Sequence, residues 1–429
     1  MDAGVASGEN YGEERTRTDW FTVALLFLAG IGSAMHFAKI PAALPLISTE
    51  LGLSTVGGGL AVSLVAVMGI VLGVAAGALV DAWGRRRLLL VSLVGGAVTS
   101  ALIPLFDSTG GFLALRVVEG LSHLVIVVAA PSLMGVVARP ADRPLVMTIW
   151  GAFFAVGFAV TDVIAPGLLG RWGWPSLFHA NAVLFAVTAA LLWPRLNRLA
   201  RLQTLEPAPT GVGLARLARD LVRDHGRLYR HLPIMFATGA FVLHCLLFNA
   251  YLTYVRQLLV DEEVLDGAAV GPWMSLLAVL SIVSTLVIGG ALLRFGVSPF
   301  RILVGAFVCE AVAGVVVFAA LGGETVVLTA SIVLFVFDGL VQGATFATIP
   351  VVASDRMAAL AHGAFAQGGN VGSFAGPPLF AAVLTWTGGW AANGVVTAVG
   401  CAAGVACTVV AAVFARRAVV GPSAATVPR

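Results

Sequence analysis

Apolar segments of about twenty residues recur along almost the whole chain. A helix needs roughly 20 apolar residues to cross a bilayer. Composition agrees, because 59% of the residues are hydrophobic and 11% are charged, whereas a soluble domain needs far more charge on its surface. The sequence therefore predicts an all-α membrane protein with about twelve spanning helices, near 20–46, 57–80, 87–106, 112–138, 146–169, 175–194, 231–258, 268–293, 299–321, 325–352, 360–385 and 390–415.

The basic residues between these segments predict the orientation of the chain. If the N-terminus is inside, about 21 of them fall in cytoplasmic segments, and only Arg171 and Arg256 fall in external loops. This agrees with the rule that cytoplasmic loops of membrane proteins carry an excess of Lys and Arg. Both termini are therefore predicted to be cytoplasmic. The expected order is a disordered cytoplasmic tail over 1–19, a six-helix bundle over 20–194, a basic cytoplasmic linker over 195–230, a second six-helix bundle over 231–415 and a cytoplasmic tail over 416–429.

An internal repeat with an offset of about 212 residues supports this division. It predicts two parallel six-helix pseudo-repeats, an arrangement in which transporters bind substrate between the halves near the middle of the bilayer. The matched positions are Gly151–Phe153 with Gly363–Phe365, Gly157 with Gly369 and, at a slightly larger offset, Gly120 with Gly339.

The loop after the second predicted helix carries Gly77, Asp81, Gly84 and Arg85. It resembles the signature loop of the major facilitator superfamily, and the resemblance extends over essentially the whole chain. Gly84 suits the tight reversal of the chain at this point. The resemblance implies that the four residues form a cytoplasmic latch for the outward-facing state. An ordinary basic cytoplasmic loop is the alternative.

The fourth predicted helix carries Arg116 and Glu119, followed by Gly120. This resembles the second motif of the same family, an intramembrane arginine followed by a polar residue and a glycine. Arg116, Glu119 and His123 fall on one face of the helix. An arginine in an apolar segment is costly unless it is paired or wetted, so a functional role is expected. A self-neutralising structural Arg–Glu pair is the alternative.

Two further runs bear on the branch of the family. The drug-antiporter motif of the fifth helix is poorly kept, because Thr161 and Ala165 stand where glycines are expected. The runs 39–45 and 367–370 resemble the bacterial branch grouped with cyanate and nitroimidazole transporters. The degenerate drug motif weakens an interpretation as a multidrug exporter.

In this family the first, fourth, seventh and tenth helices surround the substrate cavity, with the fifth and eleventh beside it. Polar residues on these helices are therefore expected to bind substrate, although histidines and amides also join helix to helix in membranes. The expected substrate-binding residues are His36, Lys39, Arg116, His123, His244, Asn249, Tyr251, Gln342, Gln367 and Asn370.

Three acids are the expected proton-coupling residues, because a buried carboxyl group can be protonated near neutral pH. In order of preference they are Glu119, Asp338 and Asp162. Glu310 stands alone on the ninth helix, which is normally peripheral in the family, and is expected to serve packing or a lipid headgroup contact.

The expected function is secondary active transport by alternating access in the cytoplasmic membrane, through proton-coupled symport. A small organic anion is the preferred solute, because Lys39 and Arg116 outweigh the acids once these are protonated. Proton-driven export of a drug or metabolite is the alternative. A membrane sensor or integral-membrane enzyme is disfavoured by the short tails and the lack of a catalytic signature in the sequence. The expected partners are the solute, protons and lipid; no nucleic acid, metal or cofactor is expected, and the protein is expected to be a monomer.

Overall fold

The chain forms a bundle of long helices in a computed structural model that describes residues 17–139, 142–201, 223, 226, 228–353 and 355–420. In these described ranges the helices form twelve segments. Four of the segments are interrupted, and an interrupted segment carries a single label. In chain order they are α1 (Trp20–Leu51), α2 (Thr55–Ser63 and Val67–Trp83), α3 (Arg85–Leu102), α4 (Thr109–Val137), α5 (Arg143–Gly151 and Phe153–Trp172), α6 (Pro175–Arg201), α7 (Leu232–Asp261), α8 (Val270–Val283 and Gly290–Arg294), α9 (Pro299–Phe318), α10 (Glu324–Ala347 and Ile349–Val352), α11 (Asp355–Thr387) and α12 (Ala391–Val420).

Eleven segments in the described part of the chain are long and apolar enough to cross a membrane, which confirms a polytopic all-α membrane protein. The segment outside that count is α11. It has 33 residues, or about 50 Å of helix at 1.5 Å per residue, so its length suffices. Its glycines and amides make it less apolar, and it packs between α2 and α7 of the protein. The predicted eleventh helix therefore exists.

The helix ends follow local sequence signals but extend beyond the predicted bounds. The side chains of Asp19, Ser54 and Ser108 accept hydrogen bonds from the backbone of the first turns of α1, α2 and α4, as N-caps do. The α6 helix continues to Arg201, about two turns past the predicted bundle boundary at 194. Most of the predicted tails, 1–19 and 416–429, and most of the predicted linker, 195–230, lie outside the described residues.

Glycines matched by the internal repeat make equivalent contacts in the two halves. A Cβ atom on Gly120 of α4 would overlap the carbonyl oxygen of Val65, which lies between the two parts of α2. A Cβ atom on Gly339 of α10 would overlap the carbonyl oxygen of Ser281 in α8. Small residues permit such close backbone approach in membranes. These two glycines thus let the fourth helix of each half pack closely against the second helix of the same half.

The buried apolar residues divide in the same way. Two of the four clusters in the described residues lie within α1–α6, and a third lies between Leu228 and Ala415. The fourth joins the halves, because Phe37, Val65 and Phe158 of the first half pack into the core of the second. The two bundles therefore meet along α1, α2 and α5.

Candidate functional site

Glu119 of α4 lies at the centre of a buried polar network, which we call the Glu119 network. Its Oε1 accepts hydrogen bonds from Nζ of Lys39 and from Oγ of Ser100 at 2.8 Å, and Nδ1 of His36 lies 2.7 Å from the same oxygen. Its Oε2 accepts a hydrogen bond from Arg116. All five side chains are fully buried. Two cations thus bracket one carboxylate.

The cations of the Glu119 network have further partners that tie the first bundle together. In Arg116, Nε donates to the carbonyl of Ala61 at 2.9 Å and NH2 donates to that of His36 at 2.7 Å. In Lys39, Nζ also donates to Oδ1 of Asn181 at 3.1 Å. Each nitrogen of the guanidinium group is therefore engaged. The predicted Arg–Glu pair is present, but Lys39 gives the network a net charge of +1 when the histidines are neutral.

His123 lies one turn from Glu119 on α4 but takes no direct part in the network. Its Nδ1 lies 2.8 Å from Oγ of Ser33 on α1, and its ring meets Phe37 edge-on with centroids 4.9 Å apart. In this conformation it joins α4 to α1.

Three predicted residues of the second bundle come together. Nε2 of His244 on α7 lies 2.7 Å from Oε1 of Gln342 on α10, and its Nδ1 lies 3.3 Å from Oδ1 of Asp338. His244 and Asp338 are buried, whereas Gln342 is half-buried. The histidine therefore connects a buried acid to a more accessible amide.

The remaining predicted binding residues join helices or are partly accessible. Asn249 donates to Oγ of Ser373 on α11 at 2.9 Å. Gln367 of α11 donates to the carbonyl of Ile70 in α2 at 2.9 Å, across the two halves. Asn370 donates to a carbonyl of its own helix. Among the predicted binding residues, the side chains that keep partial exposure are those of Gln342, Gln367 and Asn370.

An ion pair between Asp162 of α5 and Arg256 of α7 also crosses between the halves. NH2 of Arg256 donates to Oδ1 of Asp162, whose side chain is 1% exposed. A second bond runs from Oγ of Ser275 on α8 to the carbonyl of Ala159 on α5, at 3.1 Å. Sequence reasoning missed Arg256 because it placed that residue in an external loop, whereas α7 runs on to Asp261.

The Asp162–Arg256 pair lines a cavity of about 660 Å³. The cavity lies among α1, α5, α7 and α8, at the end of the molecule where α1 and α7 terminate. Pro41, Thr253 and Asp261 also contribute to its wall. Of the thirteen predicted binding and coupling residues, Asp162 is the one that lines this cavity.

The signature loop is a direct junction between α2 and α3. Gly84 lies between Trp83 and Arg85 with φ of 91° and ψ of 117°, a conformation that favours glycine. Gly77 and Asp81 belong to the last turns of α2, and the side chain of Asp81 lies outside the described part of the structure. The latch formed by Gly77, Asp81, Gly84 and Arg85 stays a prediction.

Comparisons with known proteins bear on the whole chain. The model of the Major Facilitator Superfamily matches residues 22–377. The nitrite extrusion protein of Bacillus subtilis (strain 168) is 24% identical over 370 residues, which is 86% of this chain and 88% of that protein. The multidrug efflux pump LfrA of Mycolicibacterium smegmatis is 30% identical over 178 residues, 41% of this chain; the match spans only 35% of LfrA's length.

A solved structure gives the same assignment of the fold. The xylose transporter XylE from E. coli, in an inward open conformation, is similar with a TM-score of 0.71. Sequence identity is 15%, and the match covers 92% of this chain and 96% of that one. By its sequence and its helical fold, this chain belongs to the Major Facilitator Superfamily and is a multi-pass membrane transporter rather than an enzyme.

Proposed function

We propose that this protein is a proton-coupled symporter of a small organic anion. The observation that carries the proposal is the composition of the Glu119 network, where Lys39 and Arg116 face one carboxylate. An unbalanced charge inside a membrane protein is costly. Because fields extend further at low dielectric, a net positive charge in the first bundle favours an anion bound between the bundles. A relative named for nitrite extrusion is consistent with this choice.

The proposed contacts for the anion come from half-buried side chains between the bundles. Gln342, Gln367 and Asn370 offer amide groups. Phe154 of α5 and Phe248 of α7 meet across the halves with ring centroids 6.3 Å apart, and Phe248 stacks on His244 at 5.8 Å. Amides that orient a solute beside aromatic walls are typical of small-molecule sites. This combination favours an organic anion with an apolar body.

Alternating access would use the contacts that join the halves at one end. The Asp162–Arg256 pair closes the end where α1 and α7 terminate, which the loop arginines predict to face outward. Under this proposal, the present conformation is closed at its outer end. Rigid-body rocking of the bundles would separate Asp162 from Arg256 when the outer end opens.

Export of a drug by proton antiport is the second candidate, favoured by the similarity to LfrA. Proteoliposomes loaded to give an inward proton gradient separate the two candidates. The probes are radiolabelled nitrite, a panel of small carboxylates, and ethidium as a cationic drug. Symport predicts accumulation of a panel anion that a protonophore abolishes. Accumulation of ethidium alone, driven by the opposite gradient, would replace symport with antiport.

A further inference from the structure

Glu310 lies midway along α9 and is fully buried. Among the described residues, neither of its carboxyl oxygens forms a hydrogen bond of standard geometry, although the Tyr251 hydroxyl is close enough to interact with it, and it forms no ion pair there. A headgroup contact, one of the two expectations from the sequence, is wrong for this conformation because the side chain has no exposed surface. A buried carboxyl group without an ion-pair partner calls for a different account.

Among the described residues, the groups that interact with Glu310 include polar side chains but no lysine or arginine. The residues near it are Tyr251 of α7, Asp338 of α10, and Thr397 and Cys401 of α12. All four are buried. The Tyr251 hydroxyl and Oδ1 of Asp338 also form no hydrogen bond of standard geometry among the described residues. The other titratable groups beside Asp338 are His244 and Cys245 of α7. We call Glu310, Asp338 and Tyr251 the acid cluster.

Two members of the acid cluster, Tyr251 and Asp338, stand at sequence positions equivalent to members of the Glu119 network. The repeat offset of about 212 residues carries Lys39 onto Tyr251 and Asn181 onto Asn393. The slightly larger offset that pairs Gly120 with Gly339 carries Glu119 onto Asp338. The second half thus keeps the acid and the amide but replaces the lysine with a phenol. The two halves have diverged in charge at equivalent positions.

Because of this divergence, the acids of the two halves are expected to differ in their protonation states. Glu119 faces two cations and is stabilised as a carboxylate. In the acid cluster two buried carboxyl groups interact electrostatically without a lysine or arginine among the described residues beside them, and two like charges at such a site cannot both ionise at low cost. Protons are the ligands that neutralise such a site most simply.

We propose that Glu310 and Asp338 form a proton-binding site in the second bundle, loaded in this conformation. His244 lies between Asp338, at 3.3 Å, and the half-buried Gln342, at 2.7 Å, and in this proposal it is the group through which protons reach the site from the space between the bundles. Loading forms an O–H bond on a carboxylate oxygen, and release to water breaks it. This inference rests on the proposed proton coupling and assigns it to the second bundle rather than to Glu119.

The first arm of the test reads protonation directly and needs no solute. Infrared spectra of the purified full-length protein at neutral pH should show the C=O stretch of a protonated carboxylic acid, shifted in D₂O. Glu310→Gln should reduce this band, and Glu310→Asp, which keeps an acid, should retain it. Glu324→Gln, at the exposed start of α10, is the matched control and should leave the band unchanged. A full-strength band in Glu310→Gln would overturn the assignment.

The second arm uses proteoliposomes and the panel anion with the largest proton-driven uptake. Glu310→Gln should lose at least tenfold in proton-driven accumulation, while exchange of labelled anion between internal and external pools stays within twofold of wild type. Accumulation at the wild-type level would overturn the site's role in coupling. If the wild type accumulates no panel anion, the proposed function fails, and the infrared band still decides the protonation of Glu310.

Discussion

At the residue scale, the presence of a neighbouring cation distinguishes the buried acids. Glu119 is bonded to Lys39 and Arg116, and Asp162 is bonded to Arg256. Glu310 has no such partner in the described residues. Neutralising a paired acid leaves a buried cation without its counter-charge, whereas neutralising an unpaired acid leaves no buried charge uncompensated. The same chemical change therefore has different consequences at these sites.

Glu119→Gln should destabilise the protein strongly. It leaves Lys39 and Arg116 buried without a carboxylate, and removing one partner of a buried ion pair costs about 3–5 kcal/mol. The measurement is thermal or denaturant unfolding in detergent. Glu310→Gln is the matched control and should cost less, on the order of 1 kcal/mol. Equal losses for the two variants would mean that the Glu119 network is not an ionised cluster.

Sequence reasoning reached part of the Glu119 network. Arg116 and Glu119 are three residues apart on one helix, and that spacing alone places them together. Lys39, Ser100 and Asn181 join them from α1, α3 and α6, and such convergence depends on how distant segments pack. For Glu310 the sequence left packing and a headgroup contact open for the same reason, because the burial that excludes a headgroup contact comes from other helices rather than from its own.

At the scale of elements, we propose that the ion pair between α5 and α7 controls access at one end of the molecule. Breaking it with Arg256→Gln should favour opening at that end. A change of about 1–2 kcal/mol in the equilibrium between conformations shifts populations roughly 5–30-fold. The measurement is the labelling rate of Thr253→Cys, in the cavity wall, by a membrane-impermeant maleimide added outside, in a background without the native cysteines.

Arg171→Gln provides the control for this experiment. Arg171 is also near the end of a helix predicted to face outward, but it is exposed and does not line the cavity. Its replacement should leave the labelling rate unchanged. A rate in Arg256→Gln equal to that of the parent would show that the ion pair does not hold this end closed.

The junction between α2 and α3 gives a second prediction about elements. Gly84→Ala should cost about 1–3 kcal/mol, because an L side chain is strained at φ of 91°. The matched control is Gly95→Ala in α3, where an added Cβ would meet no atom within 4 Å and the helical backbone suits alanine. Unfolding midpoints in detergent measure both. Equal midpoints for the two variants would show that the junction tolerates a side chain.

At the scale of the whole molecule, hydropathy and the repeat predicted the architecture well. Apolar runs give the helices, because a membrane core imposes the same length on each span. The repeat aligns Gly120 with Gly339, and both glycines pack closely against backbone of their own half, at Val65 and Ser281. Sequence periodicity could not show that α11 packs between α2 and α7, since this depends on how the two bundles dock.

The two halves share a fold but differ in charge, and this asymmetry underlies the proposed mechanism. In the proposed mechanism, the net positive charge of the Glu119 network favours an anion. The acids of the second bundle would carry a charge that depends on bound protons. An anionic solute would neutralise the Glu119 network, and a proton would neutralise the acid cluster. The two ligands would then be transported together, which is coupling between two bound ligands.

The direction of proton movement tests this account most directly. Wild-type protein is reconstituted into vesicles with a pH-sensitive dye inside and no imposed gradient, and the panel anion with the largest uptake is added outside. Symport predicts that the vesicle interior becomes more acidic as the anion enters, and that Glu310→Gln abolishes this change. Anion entry with no change in internal pH, or with a rise, would contradict the account.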